Sequence, residues 1–211
     1  MQELPLQLAN NTPTTEWEKY VPILTNKNTV HVYLTDGIDE PSFYNELCHS
    51  LYCADESDTY TLHINTPGGM LDTTFMLLDA MRNSKAHIIG HLTGTVASAG
   101  TIIALACDEL ICSDDLSWMS HYYSSMIGGK GNEIKARQTF TERTTSATFR
   151  RIHEGFFSKK EIEEMIEGKD FWLDEHEVRE RWARKQSTIP RLADEAESAR
   201  PTTQRGRPRK A

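Results

Sequence analysis

An α/β fold with parallel strands is predicted by three observations. Residues Thr29–Thr35 and Thr59–Ile64 alternate apolar and polar side chains, with Val30, Val32 and Leu34 on one side of the first and Tyr60, Leu62 and Ile64 on one side of the second. That is the period-two pattern of strands with one buried face. Each is followed by helical spacing: Phe43, Leu47 and Leu51 after the first, Thr74, Leu77, Leu78 and Met81 after the second. A third strand, His87–Leu92, then returns, and crossovers of this kind favour parallel pairing with helices packed on the sheet.

The chain has 211 residues, enough for one domain with a sizeable core and an appendage. Its mean hydropathy of -0.55 is low for a fully packed chain, which predicts polar ends. Residues 1–28, rich in Asn, Thr, Pro and Gln, are expected to be an N-terminal arm anchored by Trp17, Tyr20 and Ile23. Residues 29–184 are expected to be the folded domain, and 185–211 a disordered basic tail. The start lacks a basic segment followed by an apolar one, and no apolar run reaches the length of a membrane span, so a soluble cytoplasmic protein is expected.

Asp36-Gly37 turns the first strand, and Pro41 suits the first turn of the helix after it. Asp55–Asp58 breaks that helix. After the second strand, Asn65-Thr66-Pro67-Gly68-Gly69 forces a tight loop before a helix that runs to Asn83. The third strand leads to Gly94–Thr101, and Ser98–Cys107 is predicted to be helical. Short strands are expected at Glu109–Cys112 and Ser117–His121, and a hairpin or flexible strand at Ser124–Gly131. A long helix, Asn132–Phe157, has a polar, threonine-rich first part that is expected to protrude. Ser158-x-x-Glu161 has capping-box spacing and opens a short helix that Gly168 closes. Phe171–Leu173 reads as a small strand, and Asp174-x-x-Glu177 opens the last helix.

Two loops carry the chemistry. Pro67-Gly68-Gly69 and Thr95–Gly100 both follow parallel strands, at the end of a sheet where ligands bind in such folds. Adjacent glycines let backbone N–H groups face a ligand, and a helix N-terminus favours developing negative charge. Ser98, between small residues, therefore reads either as a nucleophile or as an ordinary helix N-cap. A nucleophilic serine needs a base and a group to orient it. Among eight histidines, His121 ends a short strand beside a polar, glycine-containing segment, but spacing alone does not select it. Cys48/Cys53 and Cys107/Cys112 fit no common zinc spacing and are expected to be buried free thiols, with no metal and no cofactor.

Four stretches in order, Ile64-Asn65-Thr66-Pro67-Gly68-Gly69, Gly94-Thr95-Val96-Ala97-Ser98-Ala99-Gly100, Met119-Ser120-His121 and Lys169-Asp170-Phe171-Trp172-Leu173, resemble the successive motifs of the ClpP family of serine peptidases. The resemblance runs from about Thr29 to Trp182, with intervals of 29, 23 and 49 residues separating Gly69, Ser98, His121 and Asp170. It implies a ClpP/crotonase-like fold of repeated ββα units with a handle-like helix. It also implies a Ser98 nucleophile, a His121 base, an Asp170 carboxylate that orients His121, and an oxyanion hole from the N–H groups of Gly69 and Ala99. Gly68, Ile127, Gly128 and Gly129 are expected to bind substrate. A homo-oligomeric ring acting on unfolded or accessible proteins is implied, with an ATP-dependent unfoldase as partner.

Tyr122-Tyr123 stands where the family usually has Gln-Pro, Gly168-Lys169 replaces an acidic-arginine pair, and Glu177–Trp182 departs from the family's ending. These departures fall at ring-contact positions more than at the chemistry, and with the basic tail they would suit a phage-encoded member. Arg205-Gly206-Arg207-Pro208 looks like an AT-hook for A/T-rich DNA, on a body that carries −13 without the last twelve residues. Other readings are a catalytically silent scaffold or DNA-tethered assembly subunit, a crotonase-like acyl-thioester enzyme, and a Ser-Lys dyad with Lys130 or Lys135.

Overall fold

The computed structural model describes residues 23–125 and 128–188. Within them, strands β1 (Ile23–Asn26), β2 (Thr29–Leu34), β3 (Thr59–Thr66), β4 (His87–Ala97), β5 (Glu109–Cys112), β6 (Ser117–Ser120) and β7 (Phe171–Asp174) form one sheet. Helices α1 (Asn45–Cys53), α2 (Leu71–Asn83), α3 (Ala99–Ala104), α4 (Gly131–His153), α5 (Lys159–Ile166) and α6 (Glu175–Thr188) complete the mixed α/β fold.

The strand order is β1-β2-β3-β4-β6-β7, with β5 also paired to β4. The central pairs β2–β3, β3–β4, β4–β5 and β4–β6 are parallel, as the crossovers require, whereas β1 and β7 are antiparallel edges. The predicted alternation is realised: Val32, Leu34, Leu62, Ile64, Ile88 and Leu92 are buried under the helices. A buried apolar face is what fixes strand register, since a slip by one residue would turn every side chain over.

Several boundaries differ from the sequence reading. Residues 23–28, assigned to the arm, form β1 and a turn at Lys27, whose φ is 53°. Four residues are too few to show a period, so pairing with β2 supplies their order. The helix at Pro41 starts as a 3₁₀ turn, Pro41–Tyr44, before α1. The described residues between His121 and Lys130 form no strand. Of the cysteines, Cys48, Cys107 and Cys112 are buried free thiols, but Cys53 is exposed at the end of α1. The Ser158/Glu161 capping box is present, and Gly168, at φ 107°, closes α5 as expected.

The long strand β4 organises the molecule. Its first part pairs with β5 through Ile89–Leu92 and its second with β6 through Thr95–Ala97. Gly94, at φ 58°, marks the break between the two registers, and the Asn65 side chain spans the break by accepting a hydrogen bond from Thr95 N–H at 3.1 Å. A Cβ on Gly94 would lie 3.1 Å from that side chain.

On the face away from the helices, polar-face positions of three neighbouring strands bring histidines together. His31 Nδ1 lies 3.1 Å from His63 Nε2, and His63 Nδ1 lies 3.1 Å from His91 Nδ1. Tyr33 stacks on His63. The sequence gives these histidines no special neighbourhood, because only strand register juxtaposes them. Among the described residues no helix is long and apolar enough to cross a membrane.

Candidate active site

The two loops singled out in the sequence meet at Ser98. A Cβ on Gly68 would lie 2.6 Å from Ser98 Cβ and 3.0 Å from Ala99 N, so the loops approach more closely than any side chain at Gly68 allows. The Gly68 carbonyl accepts from Ile38 N–H at 2.9 Å, and Met70 N–H donates to Ile38 O at 2.7 Å. This bridge leaves the intervening Gly69 N–H without a partner among the described residues, and Ala99 N–H is likewise unpaired. Two such free donors on converging loops suit a developing oxyanion.

Ser98 stands at the N-cap position of α3, yet its side chain makes no capping hydrogen bond. Its backbone has φ 52° and ψ −119°, outside the regions that L-residues ordinarily occupy. Such a conformation costs on the order of 1–3 kcal/mol and persists where the surroundings impose it. Here they do so through Ser98 N–H, which donates to Met119 O at 2.8 Å, and through a polar chain beneath the site. Trp118 Nε1–H donates to Ser120 Oγ at 2.9 Å, Ser120 to Thr101 Oγ1 at 3.3 Å, and Thr101 to Ser98 O at 2.7 Å.

The conformation aims Ser98 Oγ at His121, whose Nε2 lies 2.8 Å away. Donation from the serine hydroxyl to Nε2 requires the histidine proton on Nδ1. Asp170 immediately precedes β7, and continuing the Ser120↔Phe171 register by one residue sets it opposite His121. Its carboxylate is exposed, and no hydrogen bond joins it to His121 among the described residues.

Beside Ser98 and His121 opens a small cleft. Leu71 and Phe75 of α2, Ile102 of α3, and Thr145, Phe149 and Ile152 of α4 supply its apolar part, while Gly69, Tyr123 and Ser124 complete its rim. The Phe149 ring packs edge-to-face on Tyr122, so Tyr122-Tyr123 shapes this wall.

Gly128 and Gly129 are exposed and lie apart from the cleft lining, and Ile127 lies outside the described residues. Lys130 and Lys135 also lie apart from it; Lys130 is 82% exposed and pairs with Glu133. The Ser-Lys alternative therefore lacks its geometry, because Ser98 Oγ already faces an imidazole. The Arg205–Pro208 hook falls outside the described residues.

Thr145, Phe149 and Ile152 are site residues that the sequence reading missed. Their spacing of four and three marks one helical face, but which element that face meets is decided only by tertiary packing.

The family model for Clp protease matches residues 15–181. The chain is also similar to the ATP-dependent Clp protease proteolytic subunit 2 of Pseudomonas aeruginosa, at 27% identity over 151 residues, covering 70% of this chain and 75% of that protein.

Proposed function

The chain belongs to the Clp protease family, and we propose that it is a serine endopeptidase that cleaves unfolded or accessible polypeptides through an acyl-enzyme on Ser98. The observation that carries this reading is the 2.8 Å contact between Ser98 Oγ and His121 Nε2. His121 removes the hydroxyl proton as Ser98 attacks the scissile carbonyl. The resulting oxyanion is held by Gly69 N–H and Ala99 N–H, which are already in place and need no reorganisation. Collapse breaks the C–N bond, and His121 passes its proton to the departing amine. Water then attacks the ester with His121 again as base.

Asp170 is the carboxylate in this scheme, closing on His121 Nδ1–H to fix the tautomer and stabilise the imidazolium. Its position opposite His121 in the strand register supports that role. An acyl-thioester enzyme would use the same two N–H groups but has no need of a serine held against an imidazole. We assign the protein to a homo-oligomeric ring by analogy with its family, and an ATP-dependent unfoldase is the corresponding partner.

A fluorophosphonate tests the chemistry directly. Reaction with the folded, assembled protein should leave one adduct on Ser98, found by peptide mass spectrometry, and His121→Ala should abolish it. Asp170→Asn should slow adduct formation by orders of magnitude, since a wrongly tautomerised histidine no longer accepts the proton. Absence of a Ser98 adduct would sink the peptidase assignment.

A further inference from the structure

Three histidines meet on the sheet face opposite the helices, and the peptidase chemistry uses none of them. His63 of β3 and His91 of β4 are direct partners in the parallel register, and their Nδ1 atoms lie 3.1 Å apart. On the far edge of the His63 ring, Nε2 lies 3.1 Å from Nδ1 of His31 on β2. Tyr33, also on β2 and paired with His63, stacks on that ring with centroids 4.5 Å apart and planes within 10°. The His63 ring is therefore held on one face and at both nitrogens, while all three histidines stay partly exposed to solvent. Ligating side chains fixed in advance on rigid strands are what a metal site requires.

We propose that His63 and His91 bind one late first-row divalent cation, Zn²⁺ or Cu²⁺, through their Nδ1 atoms, with His31 as the positioning residue behind His63. Two nitrogens 3.1 Å apart can both sit about 2.05 Å from one ion, subtending about 100° there, between the cis angle of a tetragonal site and the tetrahedral angle. A ligating histidine directs its other N–H at an acceptor. With the metal on Nδ1, the His63 proton is on Nε2 and donates to His31 Nδ1, so all three rings stay neutral. Among the described residues no three His, Cys, Asp or Glu side chains converge on one ion. His31 faces the opposite nitrogen of His63, and water fills the remaining positions. A donor set of imidazoles alone selects against Mg²⁺ and Ca²⁺, which take oxygen ligands. The ion ties β3 to β4 shortly before the break at Gly94.

The test uses the full, untagged chain stripped of metal with EDTA and dialysed. Calorimetric titration with ZnCl₂ should show one site per chain, and Zn²⁺ at about a hundredfold excess over Kd should raise the Tm by roughly 5 °C. MgCl₂ should do neither. His63→Phe and His91→Phe keep a ring on each strand and lose the nitrogens, and each should weaken Zn²⁺ binding by at least about tenfold. His31→Phe should weaken it by about tenfold, the effect of losing the acceptor behind a ligand. His31→Gln, whose side-chain oxygen still accepts from His63 Nε2–H, should recover most of that loss.

Two other groups can attract the ion. Cys53 Sγ lies 3.7 Å from His49 Nε2, and His87 lies 3.7 Å from Asp108 and 3.4 Å from Glu109. Cys53→Ser and His87→Phe should nevertheless bind Zn²⁺ as wild type does. A second reading needs no variant: with one equivalent of Cu²⁺, pulsed EPR of the wild-type protein should show two coordinated imidazoles. Absence of saturable Zn²⁺ binding, a copper spectrum with one imidazole or none, or wild-type affinity in folded His91→Phe or His31→Phe each overturns the proposal. So does loss of the site in Cys53→Ser or His87→Phe. The proposal does not depend on the peptidase reading, since none of these outcomes bears on the reaction of Ser98 with fluorophosphonate.

Discussion

At Ser98 the backbone and the side chain pull in opposite directions. The φ of 52° suits glycine, while attack on a carbonyl needs a hydroxyl. Removing the hydroxyl by Ser98→Ala should abolish peptidase activity, with kcat lower by roughly four to six orders of magnitude on the scale of other serine nucleophiles. Ser98→Gly should be equally inactive yet more stable than Ser98→Ala by about 1 kcal/mol, the relief of strain less the entropy of an added glycine. Urea unfolding of the two variants measures the difference; equal stabilities would mean that the turn stores no strain. The small residues flanking Ser98 between two apolar runs left it open between a nucleophile and a helix N-cap, and the ordered family motifs are what favoured the first reading. Its strain was not legible, because nothing local to Val96-Ala97-Ser98-Ala99 demands a positive φ: the demand comes from Met119, Thr101 and Gly68, which reach it from other parts of the chain. His121 needed the same long-range information, since eight histidines offer eight bases until the fold sets one of them 2.8 Å from the hydroxyl.

At the scale of elements, alternation and turn chemistry sufficed where a strand has a period and a helix has a cap. Strands β2 and β3 and helices α2 and α5 fall close to their expected limits for that reason. Strand β4 exceeds its expected end at Leu92 by five residues, as far as Ala97. Thr93-Gly94-Thr95-Val96-Ala97 contains a glycine and lacks apolar alternation, so it reads as a loop until β6 pairs with it. That second pairing delivers Ser98 to His121, and Gly94 is the hinge it turns on. Gly94→Ala should therefore lower stability by about 1–2 kcal/mol, from a left-handed φ and from contact with Asn65. Its rate of fluorophosphonate labelling should fall as well. Asn65→Ala removes the contact but not the strain, so a double-mutant cycle by thermal unfolding should recover part of the cost. Full additivity of the two substitutions would show that Asn65 does not brace the break.

For the whole molecule the decisive joint is the one between α4 and the body. All the buried residues of this helix lie in its second half, at Thr145, Phe149, Ile152 and His153, and two of its last carbonyl neighbours, Ile152 O and Glu154 O, accept from Lys185 of α6. His153 is fully buried, with Nδ1–H donating to Phe149 O and Nε2 left without a partner. Burial pushes its pKa down to about 4, with the Lys185 ammonium adding to the effect and the Phe149 hydrogen bond opposing it. The unfolded chain takes up this proton near pH 6.5 and the native protein only near pH 4, so acid favours unfolding. The stability contribution is complete above pH 6.5 and is lost progressively as the pH falls toward 4, by about 3 kcal/mol. Burial, followed by the neighbouring His91 and His31, lowers the pKa of His63 as well, which works in the same direction. Because Thr145, Phe149 and Ile152 also form part of the cleft, loosening this joint should weaken substrate binding before the sheet unfolds. Unfolding free energies measured by urea between pH 7 and pH 4 should fall more steeply in wild type than in His153→Leu, which binds no proton, and KM should rise over the same interval in wild type alone. Parallel pH curves for the two proteins would remove His153 as the source of the acid sensitivity.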